Sequence, residues 1–128
     1  MKEKDTPEFD FEVPRGYVWL LHKGLVGFAP NSPLQPWHYL PGRHVFDLNE
    51  KWPSDPSKTR LIAFAKRQDC DDLACFEVVR GRSGRVILVH GWTETGYAVV
   101  RVFDGFWEWL KAVVDDVAEW AESADSNA

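Results

Sequence analysis

The sequence has few cysteines and no long apolar run. Only two cysteines occur among its 128 residues, and a chain of this length can bury a core without disulfide staples. No apolar stretch approaches the roughly 20 residues that a membrane-spanning helix needs. The opening MKEKDTPEFD is acidic and polar, unlike a basic segment followed by an apolar one. These features predict a soluble, cytoplasmic protein with reduced cysteines and no membrane partner.

The sequence also has fewer basic than acidic residues, which gives a formal net charge of −5. The acids gather at the two ends. Residues 1–14 hold two Lys against five acids, and residues 104–128 hold one Lys against seven acids. The sequence lacks the clustered Lys/Arg stripe that binds a phosphate backbone. It therefore predicts no direct nucleic-acid binding and favours a basic protein partner, although a solvated acidic helix face is the simpler explanation.

The common catalytic motifs are absent as well. In GRSGR, at residues 81–85, the serine comes two residues after one glycine and one before the next, which is not nucleophile-elbow spacing. No phosphate-binding glycine-rich loop occurs, and the four histidines, His22, His38, His44 and His90, are scattered singly. These patterns predict no catalytic residues and no cofactor.

LIAFAKRQDCDDLACFEV, at residues 61–78, is the densest group of potential ligands. Cys70 and Cys75 have four residues between them, and no second cysteine pair exists to complete a zinc site. Cys75 falls within a predicted strand and is interpreted as a small buried hydrophobe. The neighbouring acids fit a tight turn: Asp69, Asp71 and Asp72. We therefore predict a turn between two strands and no metal site.

Prolines are concentrated in the first half of the chain, where they limit the length of helices and strands. PRGYVWLLHKG, at residues 14–24, begins with a proline, ends at a glycine and has helical spacing, so it predicts a short helix. Residues 25–60 hold six of the eight prolines, which excludes a long element there and leaves PWHYL and HVFDL as short edge strands. Residues 1–12 are predicted to form a loose arm.

Strand-like runs follow one another closely at 61–66, 73–80, 85–90 and 97–103. Their connections are too short for crossover helices, so neighbouring strands are predicted to be antiparallel. Apolar residues occupy both faces of the second run, which indicates cover on both faces of the sheet.

Apolar residues at three- and four-residue steps predict a C-terminal amphipathic helix over the sheet: Phe103, Phe106, Trp107, Leu110, Val113, Val114, Val117 and Trp120. Acids occupy its opposite side, and SADSNA, at 123–128, is predicted to be a frayed tail. The sequence thus predicts a single α+β domain. Its antiparallel meander of about four to six strands is packed by this helix and a short N-terminal helix.

Three tryptophans lie in or beside predicted loops. Interfaces favour tryptophan as an anchor, although core packing is an alternative explanation for each of them. Together with nearby acids they form the candidate partner-binding set: Trp37, Trp52, Asp69, Asp71, Asp72, Trp92 and Glu94.

These pieces follow one another in a recognisable order: Val13-Pro14 with Tyr17 and Gly24, Trp37, Leu61 to Ala65, Asp72 to Phe76, Val86 to Val89, and Phe103 with Phe106 to Leu110. In that order they resemble the SUKH superfamily, and the likeness predicts a SUKH-like domain over residues 13–122. The chain departs from the family pattern in its short N-terminal helix, its long proline-rich middle and its FDGFWEWL helix start.

The SUKH superfamily combines an antiparallel sheet with packed helices. It includes fungal regulators of cell-wall synthesis and bacterial immunity proteins that neutralise polymorphic toxins, often nucleases. The resemblance implies a non-enzymatic protein-binding module of the immunity type, whose partner is a basic toxin domain. Two alternatives stay open: a regulatory or scaffold domain that binds a host protein, and a small metal-dependent enzyme using Cys70, Cys75, Asp69, Asp72 and His90.

Overall fold

The computed structural model describes residues 5–53 and 59–126. Within these ranges the fold is α+β, as predicted, with a six-stranded antiparallel sheet and helices at both ends. The elements in chain order are α1 (Arg15–His22), β1 (Trp37–Tyr39), a short 3-10 helix (Gly42–His44), β2 (Phe46–Asp47), α2 (Leu48–Lys51), β3 (Arg60–Arg67), β4 (Asp72–Val79), β5 (Arg82–Thr93), β6 (Gly96–Phe103) and α3 (Phe106–Ser126).

The sheet is a meander from β3 to β6, extended by two short strands. Its order is β1-β3-β4-β5-β6, and β2 also pairs with β3, so β1 and β2 share the outer side of that strand. All of these strand pairs are antiparallel. From β3 to β6 this follows from connections that are only a few residues long. The predicted meander and the two predicted edge strands are confirmed.

One face of the sheet is covered by α1 and α3. The Phe64 and Phe76 rings stack with centroids 3.9 Å apart on adjacent strands, and α3 buries Phe106, Trp109 and Val113 against this face. The predicted packing of the C-terminal helix on the sheet is confirmed, but Trp107 and Val114, which the pattern assigned to the covered face, are exposed. In the described part of the chain, no helix is both long and apolar enough to cross a membrane.

The other face is covered by the segment that contains β2 and α2. Leu73 and Cys75 of β4 point into a second buried cluster with Leu48 of α2, whereas Ala74 and Phe76 belong to the first cluster. A strand buried on both faces has no need of a clean apolar and polar alternation. This confirms the prediction that both faces are covered.

The two chain ends differ from the sequence-based description. The predicted loose arm is attached from Asp5 onward: Phe11 packs 6.0 Å from Phe76 between ring centroids, and the Glu12 N–H donates to the Gly81 carbonyl at 2.9 Å. At the other end α3 continues to Ser126, so most of the predicted tail is helical. Residues 1–4 and 127–128 lie outside the described ranges.

Candidate partner-binding site

Two glycines of the β5–β6 hairpin make room for Trp52. A Cβ atom on Gly91 would lie 3.1 Å from Trp52 Cη2, and one on Gly96 would lie 3.1 Å from Trp52 Cβ. Gly96 also has φ +119°, a backbone conformation that residues other than glycine rarely adopt. The GWTETG segment therefore lets the indole of Trp52 lie directly against the base of the hairpin.

Trp92 is a half-exposed indole in an unfavourable backbone conformation. It lies in β5, where the pairing register with β6 shifts between His90 and Thr93, and its φ is +53°. For a bulky residue this left-handed conformation costs on the order of 1–3 kcal/mol. The side chain nevertheless keeps 47% of its surface exposed, so the surrounding structure fixes a tryptophan in an accessible place.

Trp92 belongs to an aromatic cluster, which we define as Phe46, Trp52, Trp92 and Tyr97. The Trp52 and Trp92 rings meet edge to face with centroids 5.3 Å apart, and Phe46 lies 5.9 Å from Trp52 and 6.3 Å from Trp92. Tyr97 lies 5.9 Å from Trp52. Edge-to-face pairs like those among Phe46, Trp52 and Trp92 stabilise by about 0.5–1.5 kcal/mol beyond the burial of area. Ring contacts therefore hold Trp92 in place.

A cleft of about 540 Å³ opens beside the aromatic cluster. Its lining combines apolar and charged side chains: Leu40, Arg43, His44, Val45, Phe46, Asp47, Glu50, Lys51, Lys66, Leu73 and Trp92. The Lys51 ammonium lies 5.6 Å from the Trp92 ring centroid, and that of Lys66 lies 5.8 Å from it. Both are within the range of a cation–π contact.

The acids of the β3–β4 turn are engaged by basic groups of the same chain. Arg67 donates to both carboxylate oxygens of Asp69, at 2.9 and 3.0 Å, and this holds the pKa of Asp69 below its ordinary value. The Asp72 carboxylate lies 2.9 Å from His90 Nδ1 across the β4–β5 ladder. Asp71 lies 3.8 Å from the Lys66 ammonium. Of these three acids, Asp71 is the one paired with a residue of the cleft, Lys66. Arg67, which holds Asp69, also lies 3.5 Å from Asp116 of α3, and Asp72 lines a depression on that side of the sheet.

The remaining two candidate residues, Trp37 and Glu94, lie away from the cleft lining. Trp37 is 3% exposed, packs edge to face on Trp109, and donates its indole N–H to Asp116 at 3.0 Å. It is a core residue on the α3 side of the sheet and is not available as a surface anchor. Glu94 lies exposed in the hairpin turn that follows Trp92. The structure thus brings together Trp52 and Trp92, with Asp71 linked to them through Lys66. Trp37 lies on the α3 face of the sheet, where Asp72 and the Arg67–Asp69 pair also lie.

The two cysteines lie in different environments. Cys70 is exposed in the β3–β4 turn, whereas Cys75 is buried in β4 facing α2. Burial raises the pKa of both thiols, most strongly that of Cys75. Across the described residues, no group of three or more His, Cys, Asp or Glu side chains is arranged to hold a metal ion. Asp72 and His90 make a pair without a third member from this set.

This difference predicts the reactivity of the thiols. In the folded protein at pH 8, we expect a thiol-specific disulfide reagent to modify one thiol per chain, because a buried thiol is both inaccessible and protonated. The second should react only after denaturant is added. Cys70→Ser should abolish the reaction under native conditions. Rapid modification of both thiols in the native protein would contradict the burial of Cys75.

Sequence reasoning missed Phe46, Lys51 and Lys66. Phe46 was included only in a predicted edge strand, and Lys66 only in the strand that precedes the acidic turn. Lys51 stands beside Trp52 in a proline-bounded segment, which was the one local signal available. Residues from β2, α2, β3 and β5 meet here only because α2 folds across the second face of the sheet.

The comparisons with known proteins add no relative to this picture. No family model, no curated protein and no solved structure matches the chain.

Proposed function

We propose that this protein is a non-enzymatic protein-binding module of the immunity type, with Trp92 at the centre of the contact surface. The observation that carries the proposal is the half-exposed indole of Trp92, held at φ +53° against Trp52 beside the cleft. Binding hot spots are enriched in tryptophan and lie in well-packed surroundings. A side chain fixed before binding also loses little conformational entropy when a partner covers it.

The charge distribution supports a basic partner. Four acids of α3 are exposed on the opposite side of the sheet from the aromatic cluster: Glu108, Asp115, Glu119 and Glu122. From there they act through the long-range field, which speeds encounter with an oppositely charged protein. Asp69 and Asp71 of the β3–β4 turn contribute less because Arg67 and Lys66 offset them. In this proposal the acids of α3 speed the encounter with the partner, whereas Trp92 makes the contact that holds it.

The resemblance to the SUKH superfamily supports the immunity role in particular. In that role the partner is a toxin domain, and a basic nuclease fits the acidic charge of this chain. The same surface also serves the alternative of a regulatory domain that binds a host protein. The identity of the partner distinguishes the two, because a toxin is expected from a gene beside the one that encodes this chain.

The experiment measures binding between this protein and the products of the neighbouring genes by calorimetry. We expect one of them to bind, and Trp92→Ala to weaken the complex at least tenfold, because a central tryptophan typically contributes more than about 1.4 kcal/mol. Trp19→Ala is the matched control: Trp19 is 48% exposed on α1, nearly the same as Trp92, but belongs to another surface.

Two results would contradict the proposal. If none of the neighbouring gene products binds, the immunity role loses its support. If a partner binds and Trp19→Ala weakens the complex while Trp92→Ala does not, the contact surface is not the one proposed.

A further inference from the structure

Lys51 has an unusual environment in the cleft. Its ammonium lies 5.8, 5.7 and 5.6 Å from the ring centroids of Phe46, Trp52 and Trp92. It makes no ion pair with any carboxylate in residues 5–53 and 59–126. Three aromatic rings hold this positive charge at the cleft without neutralising it.

The other cations of the cleft are already engaged. Arg43 pairs with Asp5 at 3.0 Å. Lys66 donates to the Cys70 carbonyl at 2.6 Å and lies 3.8 Å from Asp71. Lys51 is therefore the positive group of the cleft that is best placed to receive an anion.

The two carboxylates that line the cleft differ in their availability. Asp47 accepts the Asn49 N–H at 2.9 Å as the cap of α2, and it also lies 3.7 Å from Arg60. Glu50 is exposed at the rim. Among the described lining residues, Arg43, Lys66 and Asp47 already have charged partners, which leaves the Lys51 ammonium as the cation without one and Glu50 as an exposed carboxylate. The Lys51 ammonium, held against three rings, is therefore the feature of the cleft that favours a negative group on a ligand.

Apart from His44, the rest of the lining is apolar. Leu40 and Leu73 are buried there, whereas Val45, Phe46 and Trp92 leave part of their surface exposed. Such a surface takes an aromatic or similarly flat body, as small-molecule pockets usually do with a few polar groups for orientation.

We propose that this cleft binds an organic anion, with a flat apolar body on Phe46 and Trp92 and the negative group at the Lys51 ammonium. The anion has two chemical sources: a free small molecule, or an acidic side chain beside an aromatic one on the protein partner. The second source rests on the proposed function, whereas the first does not. A partner that is basic overall still carries acidic side chains, so its net charge steers the encounter and Lys51 recognises one local group.

The first experiment titrates the isolated protein with naphthoate and with naphthamide, which have the same flat body and differ in charge. Calorimetry gives the affinities. The NMR signals of the Trp52 and Trp92 indole N–H groups report the place of binding. We expect naphthoate to bind about tenfold tighter than naphthamide or more, because a charge-assisted contact adds to the same apolar burial. Lys51→Met should remove that difference while keeping the aliphatic stem.

Lys23→Met is the matched control. The Lys23 ammonium lies 5.8 Å from the Trp19 ring centroid, which is the same kind of cation–π pair at a site outside the cleft. We expect the preference for naphthoate to persist in this variant. A preference for naphthoate that survives Lys51→Met would overturn the proposal, and so would equal affinity of charged and neutral ligands both here and in the peptide experiment that follows.

A second arm separates the two sources. The peptide acetyl-Gly-Glu-Phe-Gly-amide is compared with its Gln counterpart on the wild type and on Lys51→Met. A preference for the Glu peptide that depends on Lys51 supports a partner side chain. A preference seen with naphthoate alone supports a free small molecule, and the absence of both overturns the proposal. Because this test needs no partner, its failure would leave the predicted effect of Trp92→Ala on partner binding untouched.

Discussion

Trp109→Ala is expected to lower the free energy of unfolding by about 3–5 kcal/mol. Trp109 is 2% exposed, and its ring lies 5.1 Å from Phe64, 5.5 Å from Trp37 and 5.5 Å from Phe106 between centroids. Alanine would leave a cavity between α3 and the sheet that these rings cannot fill without moving. The measurement is equilibrium unfolding in urea, followed by far-UV circular dichroism.

Trp107→Ala is the control for this prediction. Trp107 stands two residues earlier on α3 and is 50% exposed, so its loss should cost less than about 1 kcal/mol. Trp109→Phe should cost well under half as much as Trp109→Ala, since it keeps a ring in place. It also removes a buried indole N–H that has no hydrogen-bond partner in the described structure. Similar costs for Trp107→Ala and Trp109→Ala would show that α3 does not pack through this face.

Gly16→Val is expected to destabilise the protein by about 3 kcal/mol through overpacking. Gly16 lies in α1 where that helix meets the start of α3. A Cβ atom there would lie 2.6 Å from Phe106 Cδ2 and 2.9 Å from Trp107 Cζ2. Phe106 is buried, so its ring cannot move aside cheaply. The expected loss is opposite in sign to the gain that replacing glycine gives in an open helix.

Gly84→Val is the matched substitution for comparison. Gly84 lies in β5, and nothing comes within 4 Å of a Cβ atom built on it. Valine suits a strand, so we expect a change within about 0.5 kcal/mol of zero. If Gly16→Val were tolerated as well as Gly84→Val in urea unfolding, the close approach of α1 and α3 would be wrong.

Much of the fold follows from local patterns in the sequence. The runs now seen as β3, β4, β5 and β6 were recognised because short turns separate them, and short turns force antiparallel neighbours. The helical spacing of Phe106, Leu110 and Val113 identified α3 in the same way. The attachment of residues 5–12 has no period that the sequence could show, because it depends on Phe11 reaching Phe76 and on Glu12 pairing beside Arg82.

The candidate site was predicted only in part. Trp52, Trp92 and the turn acids were chosen from their residue types and loop positions; Trp52 and Trp92 lie in contact, and Asp71 is linked to Trp92 through Lys66. Asp72 and the Arg67–Asp69 pair lie on the α3 side of the sheet instead. Trp37 was chosen by the same reasoning but lies in the core, because β1 pairs with the end of β3, where Trp37 is opposite Arg67 and beneath α3. A loop tryptophan has no local signal that says which face of a sheet it will reach.

The sequence by itself determined the antiparallel meander, the covering C-terminal helix and the turn at Asp69 to Asp72, because each depends on residues close together in the chain. Only the tertiary structure decided that Phe46, Lys51, Trp52 and Trp92 enclose one cleft and that Trp37 does not take part. Those contacts join segments separated by two strands, β3 and β4, and depend on the way a proline-rich stretch crosses the sheet. Short-range periodicity carries no information about that path.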